Sequence, residues 1–235
     1  MRVLLVWGSE TNNTSGFANK IADDWKEKYG DVLKVFDIVQ GNAMADRWDE
    51  VSTSNYDFLL VATSSYGEGE PPSGFGKFLY RLQEAAKGGE EPLKGLQHAV
   101  LGIGSTCYET FQNCPRYVDK YLGEAGSRRI KERFEWDEME HTDSDALEWG
   151  DVISKVMIES TKDEDSANKP EVCAWTEPKS IILSKIVDED GYEVGQGPPG
   201  FGLLQMALLG AGGLAAGAAC YYKKQLQASE AAGEL

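Results

Sequence analysis

The chain has 235 residues, of which 41% are hydrophobic and 26% are charged, so it can form one well-packed domain of ordinary size with additional segments. Its formal net charge of −16 argues against a nucleic-acid-binding protein, because a phosphate backbone is bound by clustered Lys and Arg. The cysteines and histidines lack metal-ligand spacing, so neither a metal site nor a disulfide framework is predicted.

Short apolar runs alternate with amphipathic segments along the first 160 residues, which is typical of a parallel sheet covered by helices on both faces. The predicted strands are residues 2–7, 32–39, 57–63, 99–104 and 128–134. Helical spacing predicts that the following residues face the core: Phe17, Ile21, Trp25, Phe75, Phe78, Leu79, Leu82, Leu147, Val152, Ile153 and Val156. The sequence therefore predicts an α/β fold.

The loop after the first strand, WGSETNNTSGFA, is rich in hydroxyl donors and contains no basic side chain. Ser9, Thr11 and Thr14, together with the backbone amides at the start of the following helix, can hold a phosphate dianion by neutral dipoles. The alternative is an ordinary helix N-cap rich in Ser, Thr and Asn.

The loops after the third and fourth strands, ATSSYGEGEPPSG and GIGSTCYETFQN, each combine glycines with one tyrosine. Tyr66 and Tyr108 could sandwich a flat heteroaromatic ring, with glycines allowing the backbone to approach its edge. The alternative is that each tyrosine is a half-buried packing residue. A dinucleotide motif beginning at Gly102 and Gly104 is disfavoured, because Cys107 stands at the third glycine position.

Four segments together resemble the FMN domain of the diflavin reductases, the family of NADPH-haemoprotein reductase and sulfite reductase flavoprotein. They are WGSETNNTSGFA, ATSSYGEGEPPSGF, VLGIGSTCYETFQNCPRYVDKYLGEAGSRRI and FEWDEMEHTDSDALEW. The resemblance covers about residues 1–160. It implies a flavodoxin-like, doubly wound sheet of five parallel strands in the order 2-1-3-4-5, with FMN bound noncovalently.

The resemblance also implies the roles of individual residues. Ser9 to Thr14 would bind the phosphate, Tyr66 and Tyr108 would flank the isoalloxazine ring, and Gly67 would be the catalytic hinge of the peptide that faces N5. The full set of predicted FMN-binding residues is Ser9, Glu10, Thr11, Asn12, Asn13, Thr14, Thr63, Ser64, Ser65, Tyr66, Gly67, Gly69, Gly102, Gly104, Ser105, Thr106, Tyr108, Phe111 and Asp137.

Several residues depart from the family pattern. Glu10 and Asn12 stand where the family usually has Gln and Gly; Asn tolerates a left-handed backbone, so the turn is expected to survive. A carboxylate beside a phosphate is unfavourable, so either Glu10 points to solvent or the affinity for FMN is lower. Ser105 and Cys107 replace the more usual Asn and Thr, and Trp136, in place of a small residue, could shield the ring edge.

The composition changes after the predicted FMN domain, residues 1–162. Residues 163–200 form an acidic linker containing Pro and Gly, and residues 201–222 contain no charge. As a helix, this uncharged stretch would measure about 33 Å, enough for a single transmembrane helix. Tyr221, Tyr222, Lys223 and Lys224 provide an interfacial end before the short tail 223–235. The alternative is a flexible Gly/Ala-rich tail.

The predicted function is to shuttle single electrons from a separate FAD/NADPH reductase to a haem protein or another redox protein, because the FAD and NADPH domains of the family do not follow. Acidic residues are expected to surround the ring edge and attract basic partners: Glu68, Glu70, Glu109, Glu132, Glu135, Asp137, Glu138, Glu140, Asp143 and Asp145. The alternative is a merely solubilising acidic face. Two further functions stay open, an FMN sensor or scaffold and a fragment of a diflavin reductase.

The chain is expected to be bound to a membrane, and the sequence does not identify the organelle. The first strand begins at Arg2, which leaves no room for a cleaved signal peptide. A C-terminal anchor with the flavin domain in the cytosol follows, although Lys223 and Lys224 on the far side conflict with the positive-inside bias.

Overall fold

The computed structural model describes residues 1–67 and 69–160, in which strands and helices alternate. The elements are β1 (Arg2–Trp7), α1 (Asn13–Tyr29), β2 (Lys34–Gln40), α2 (Gly41–Ala45), β3 (Phe58–Ser64), α3 (Gly76–Gly88), β4 (Gln97–Gly104), α4 (Asn113–Glu124), β5 (Arg128–Arg129), β6 (Phe134–Asp137) and α5 (Asp143–Ser160). Every strand pair is parallel, and the order is β2-β1-β3-β4-β5, with β6 also on β4. The predicted α/β class and strand order are confirmed.

The fifth strand position is divided between two short strands. β5 pairs with Gln97 and His98 at the start of β4, whereas β6 pairs with the last four residues of β4. The prediction of one continuous strand over residues 128–134 is therefore wrong. Between the two strands the chain leaves the ladder, and Arg133 pairs with Asp119 of α4 instead.

The central strands separate two apolar cores, because successive side chains of a strand point to opposite faces of the sheet. Leu59 and Val61 of β3 pack with α2, α3 and α4, while Leu60 and Ala62 pack with α1 and α5. Both faces are thus covered by helices. This leaves the edge formed by the carboxyl ends of the strands, with its connecting loops, as the open side of the fold.

The predicted helix faces are confirmed for α1 and α3, where Phe17, Ile21, Trp25, Phe75, Phe78, Leu79 and Leu82 are buried. In α5 the prediction is wrong for Val152, which is 40% exposed. The buried residues of α5 are Ala146, Trp149, Gly150, Ile153, Ser154 and Met157. Val152 precedes Ile153 by one residue and therefore lies about 100° around the helix from it.

Within residues 1–67 and 69–160, no helix is long and apolar enough to cross a membrane. The predicted linker 163–200, span 201–222 and tail 223–235 lie outside the described residues.

Candidate functional site

The predicted site residues lie at the carboxyl ends of β1, β3, β4 and β6 and in the segments that follow them. Hydrogen bonds join these segments to one another. The backbone N–H of Ser73 donates to Glu10 Oε2 at 2.9 Å. Asn113 Nδ2 donates to the carbonyl of Gly69 at 3.2 Å, and the N–H of Thr106 donates to Asp137 Oδ1 at 3.1 Å. One connected surface is formed by segments far apart in sequence.

The loop after β1 leads into α1 without a side-chain cap on the backbone amides at the start of the helix. Asn12 has φ 67°, the left-handed conformation expected for it, and no side chain caps the helix. The first turn of α1 contains no acidic residue, and Thr14 is buried. The hydroxyl of Ser9 is buried and has no hydrogen-bond partner among the described residues. Uncapped amides and an unsatisfied hydroxyl are suited to an anion.

Glu10 is exposed, yet its carboxylate accepts a hydrogen bond from Ser73 in the second loop, the one that follows β3. This second loop is itself held by α2, because Asn42 Nδ2 donates to the carbonyl of Ser73 at 3.0 Å and Asn42 Oδ1 accepts from the N–H of Lys77 at 2.9 Å. Sequence reasoning missed Asn42, since no motif connects it to the loop. The Glu10 side chain therefore connects the loop after β1 to the loop after β3, which α2 also contacts.

The two tyrosines lie at the surface, with Tyr66 55% and Tyr108 39% exposed. Tyr66 opens a tight turn, because its carbonyl accepts from the N–H of Gly69 at 2.8 Å. Gly67 has φ +53° in this turn, and a Cβ there would lie 2.9 Å from Glu70 Oε2. The residues on this loop are thus arranged to present an aromatic ring and a peptide that only glycine forms without strain.

The glycines at the carboxyl end of β4 allow the following segment to pack closely against the strand. A Cβ on Gly102 would lie 1.7 Å from Gln112 Oε1, and one on Gly104 would lie 3.0 Å from the ring of Phe111. Gln112 is buried, has φ 62° and precedes α4. The sequence did not reveal the role of Gln112. The only local signal is the polar pair Gln112-Asn113 at the start of an amphipathic helix. Cofactor contacts of Gly102 and Gly104 stay a prediction.

Polar residues at the end of β3 hold α4 beneath the site. Ser65 Oγ accepts from the N–H of Cys114 at 2.9 Å, and the buried hydroxyl of Thr63 lies 4.0 Å from Cys114 Sγ. Burial raises the pKa of the Cys114 thiol to about 12, so this thiol is neutral and unreactive at physiological pH. These contacts hold the amino end of α4 against the carboxyl end of β3.

Asp137, at the end of β6, is only 2% exposed. Its Oδ1 accepts from the N–H groups of Thr106 and Met139, at 3.1 and 3.0 Å. Its Oδ2 is buried without a hydrogen-bond partner among the described residues. Because buried polar atoms are normally paired, this oxygen is the acceptor expected for a ligand hydroxyl.

Trp136 precedes Asp137 in β6. Its ring lies 5.3 Å from that of Phe17, centroid to centroid, and its Nε1 donates to the carbonyl of Thr142 at 2.9 Å. The indole therefore packs on α1 and the start of α5. Shielding of the ring edge by Trp136 stays a prediction.

The acidic surface is smaller than expected. Glu135 binds Arg116 at 2.6 Å and Arg133 at 2.7 Å. Burial alone would raise the pKa of Glu135, but hydrogen bonds from both arginines outweigh it and lower the pKa. The prediction that Glu135 offers charge to a partner is wrong, as is that for the buried Asp137, and Asp143 is bound to Lys20. Glu109, Glu132 and Glu140 are exposed, and Glu68 lies outside the described residues.

The sequence matches the family model described as Flavodoxin over residues 5–150. It is 31% identical over 153 residues to an NADPH--cytochrome P450 reductase of Phanerodontia chrysosporium, covering 64% of this chain and 20% of that protein. With the enzyme of that name from Homo sapiens it shares 29% over 210 residues, covering 84% and 29%. The chain thus spans less than a third of these relatives.

Among solved structures, the fold is similar to a flavodoxin from Streptococcus pneumonia TIGR4. The TM-score is 0.53 with 22% sequence identity, and the match covers 68% of this chain and 99% of that one. A short-chain flavodoxin associated with a bacterial microcompartment gives a TM-score of 0.55 with 20% identity, covering 68% and 98%. At these identities the comparison shows the fold alone.

Proposed function

The chain belongs to the flavodoxin family and carries an FMN-binding electron-transfer domain, and from this premise we propose that it passes single electrons between a separate reductase and an acceptor protein. The residues present fit FMN. The Ser9 hydroxyl and the uncapped start of α1 would hold its phosphate, and Asp137 Oδ2 would accept from a hydroxyl of its ribityl chain. When bound, FMN supplies reversible one- and two-electron redox chemistry.

The observation that carries this proposal is the exposure of Tyr66 and Tyr108, 55% and 39%, at the open edge of the sheet. A ring flanked by two surface side chains is reached by a protein partner without any opening of the fold. Electron transfer between proteins needs such weak, small and rapidly dissociating contacts. This arrangement supports a carrier more than an enzyme that encloses a small substrate.

The proposed donor is an FAD/NADPH reductase, and the proposed acceptor is a haem protein or another redox protein. Support comes from the relatives, which are named NADPH--cytochrome P450 reductases. The exposed Glu109 and Glu140, on the loops of this edge, favour acceptors with basic surfaces through electrostatic steering.

Stopped-flow mixing tests the acceptor. The FMN-loaded full chain, reduced with dithionite, is mixed with oxidised cytochrome c, a basic haem protein. We expect rapid haem reduction that slows as salt is added, because screening weakens steering. Acetylated cytochrome c, which has lost its lysine charges, is the matched control and should react more slowly. A reduced chain that transfers electrons to neither protein would instead support an FMN sensor or scaffold.

A second experiment tests the donor. NADPH and the FAD-containing fragment of an NADPH--cytochrome P450 reductase are added to the oxidised, FMN-loaded chain, and flavin absorbance is followed. We expect reduction only when NADPH and the fragment are both present. Bleaching by NADPH alone would contradict the need for a separate reductase.

We further propose that residues 201–222 anchor the chain in a membrane, with the flavin domain in the cytosol. The support is the uncharged stretch itself and its Tyr-Tyr-Lys-Lys end. The intact chain should resist carbonate extraction, and a chain ending at Gly200 should not. Replacing Leu208 and Leu209 by Arg keeps the length and should also release the protein, because each central Arg costs about 3 kcal/mol on insertion.

Protease treatment of intact organelles tests the orientation. The flavin domain should be digested if it faces the cytosol. Protection of the flavin domain would overturn the orientation, and carbonate release of the intact chain would overturn the anchor.

A further inference from the structure

The turn that begins at Tyr66 has an exposed end and a buried end. Tyr66 and Gly67 are exposed, whereas Gly69 is buried. Within the loop, the N–H of Gly69 donates to the carbonyl of Tyr66 at 2.8 Å, and the N–H of Tyr66 donates to the carbonyl of Glu70 at 2.8 Å. These hydrogen bonds shape the turn, but its position on the fold depends on contacts with other elements.

The first turn of α4 supplies such contacts on both sides of the turn. Before it, Ser65 Oγ accepts from the N–H of Cys114 at 2.9 Å. At its buried end, the carbonyl of Gly69 accepts from Asn113 Nδ2 at 3.2 Å, in a buried hydrogen bond between residues 44 positions apart. Two consecutive residues of α4 therefore hold the two ends of the turn.

The amino end of α4 is itself fixed to β6. Gln112 Nε2 donates to the carbonyl of Trp136 at 3.3 Å, and Arg116 Nη2 lies 2.6 Å from Glu135 Oε2. Glu135 and Trp136 directly precede Asp137, whose Oδ2 is the proposed acceptor for a hydroxyl of FMN. The start of α4 therefore connects the turn to the strand that carries another proposed flavin contact.

The Asn113 side chain is suited to hold the turn, because it is only 3% exposed and its amide supplies an N–H donor. A buried carbonyl that loses its donor keeps the full cost of its desolvation. Without Asn113 Nδ2, the carbonyl of Gly69 would gain by moving towards water. Such a movement would displace Tyr66 and Gly67, which belong to the same turn.

We propose that Asn113 is a positioning residue, which holds the turn carrying Tyr66 and Gly67 and thereby sets the spacing between the two one-electron potentials of bound FMN. This inference rests on the proposed flavin site and on the hinge expected at Gly67. An anchor at each end confines reorientation of the Gly67 peptide to the exposed part of the turn. The free-energy difference between its orientations then depends on the anchor, and Asn113 needs no contact with the flavin.

Amide hydrogen exchange of the full chain, with and without FMN, tests the contact itself. In Asn113→Ala the N–H of Gly69 should exchange roughly 2- to 10-fold faster than in wild type, the range expected for one lost hydrogen bond. Asn42→Ala is the matched control, because Asn42 Nδ2 donates to the carbonyl of Ser73 in the same loop at 3.0 Å. This control should leave the exchange of Gly69 unchanged.

Asn113→Asp separates the hydrogen bond from the stability of α4. Aspartate keeps the shape of the side chain and is favourable in the first turn of a helix, but its carboxylate cannot donate to the carbonyl of Gly69. It should repeat the faster exchange of Gly69. Unchanged exchange in both Asn113 variants would overturn the proposal.

Spectroelectrochemical titration of the FMN-loaded chain tests the consequence for the flavin. In Asn113→Ala the ratio of the equilibrium constants of the two one-electron steps should change roughly 2- to 10-fold, again as for one hydrogen bond. In Asn42→Ala this ratio should equal that of wild type. A purely structural role would lower the stability of the Asn113 variant without moving the ratio, so an unchanged ratio, or equal changes in both variants, would overturn the proposal.

Failure of the proposed function gives a different result. A wild-type chain that binds FMN but reduces neither cytochrome c nor its acetylated form would refute the carrier function, while a changed ratio in Asn113→Ala would still support the positioning role. A wild-type chain that transfers electrons, with the same ratio in every variant, would refute the positioning role alone.

Discussion

Asp119 and Asp137 are almost equally buried, at 1% and 2% exposed, yet their surroundings differ. Asp119 Oδ1 accepts from Arg129 Nε at 2.7 Å and lies 3.3 Å from His98 Nε2, while its Oδ2 binds Arg133. Asp137 keeps one oxygen without a hydrogen-bond partner among the described residues. The two halves of the divided fifth strand contribute to these opposite sites, Arg129 from β5 and Asp137 from β6.

The difference separates a carboxylate whose hydrogen bonds all come from the protein from one that we propose binds a ligand. Burial alone would raise the pKa of Asp119, but hydrogen bonds from His98 and Arg129 outweigh it and lower the pKa to about 2. All of this stabilisation comes from the protein. Asp137 instead keeps Oδ2 without a partner among the described residues, and our proposal assigns this oxygen to a hydroxyl of FMN. The comparison predicts that changes at the two ends of β4 affect different measurements.

Replacing Asp119 by Asn should have the largest effect. Asn cannot balance Arg129 and Arg133, so the free energy of unfolding should fall by about 3–5 kcal/mol, as for other buried ion pairs that lose one partner. Urea unfolding at saturating FMN measures this. FMN affinity of the folded variant should be close to wild type, and a stability loss below about 1 kcal/mol would contradict the structural role.

Replacing Asp137 by Asn should give the reverse pattern. Asn keeps Oδ1 for the N–H groups of Thr106 and Met139 but places an NH₂ group where Oδ2 would accept from the ligand. FMN binding should weaken by about 1.5–3 kcal/mol, the range for hydrogen bonds to charged groups. Isothermal titration of the FMN-free chain measures this. A variant that loses stability but keeps its FMN affinity would eliminate the contrast with Asp119.

Replacing Tyr108 by Ala tests whether an exposed side chain, like Asp137, affects FMN affinity more than stability. FMN affinity should fall by about 1–3 kcal/mol, taking aromatic stacking on a base as the analogue. Tyr108→Phe is the control, because it retains the ring and should bind FMN nearly as tightly as wild type. Unchanged affinity in Tyr108→Ala would assign the tyrosine to packing.

Gly67 and Gly89 offer a matched pair with similar backbones, φ +53° and +67°, at opposite edges of the sheet. Valine at either position should cost about 1–2 kcal/mol of stability, because L-residues avoid this conformation. Only Gly67→Val should also change the spacing between the two one-electron potentials of the flavin, measured by spectroelectrochemical titration with FMN still bound. Equal potentials in both variants would remove the hinge role.

The strands and the three site loops were predictable because their signals are local, whereas the strand order followed only from the resemblance to the diflavin reductase family. Each strand is a short apolar run, and Tyr66 and Tyr108 lie in Gly-rich segments directly after two of them. Asn12 was noted as a departure from the family pattern, and the left-handed backbone that Asn tolerates is confirmed there. Residues that act within a few positions of one another reveal their role in the sequence.

The Asp119 cluster was not predictable, because its members come from β4, α4 and β5 and each appears alone in an otherwise apolar or amphipathic pattern. His98 gave no indication of its partner 21 positions away. The break between β5 and β6 was missed for the same reason, since only the fold brings Arg133 to Asp119. Gln112 was missed because its contact with Gly102 depends on a turn that the local sequence does not specify.

Replacing Glu10 by Gln should produce the smallest effect. It tests an exposed charge on the loop after β1. The carboxylate stands on the phosphate loop and accepts from the N–H of Ser73 at 2.9 Å, and Gln can keep that hydrogen bond through its own oxygen. The change therefore removes a negative charge near the proposed phosphate site with little loss of structure. FMN binding should become tighter by less than about 1 kcal/mol, as expected for a charge exposed to solvent.

Salt separates the two contributions of Glu10. The difference between Glu10→Gln and wild type should shrink towards zero at about 1 M salt, where the Debye length is about 3 Å. Glu10→Ala, which loses both the charge and the hydrogen bond, is the control and should bind FMN less tightly than Glu10→Gln at every ionic strength. Weaker binding in Glu10→Gln would mean that the charged form of the Ser73 contact outweighs repulsion of the phosphate. Glu10 would then resemble Asp119, whose negative charge is required by the protein itself.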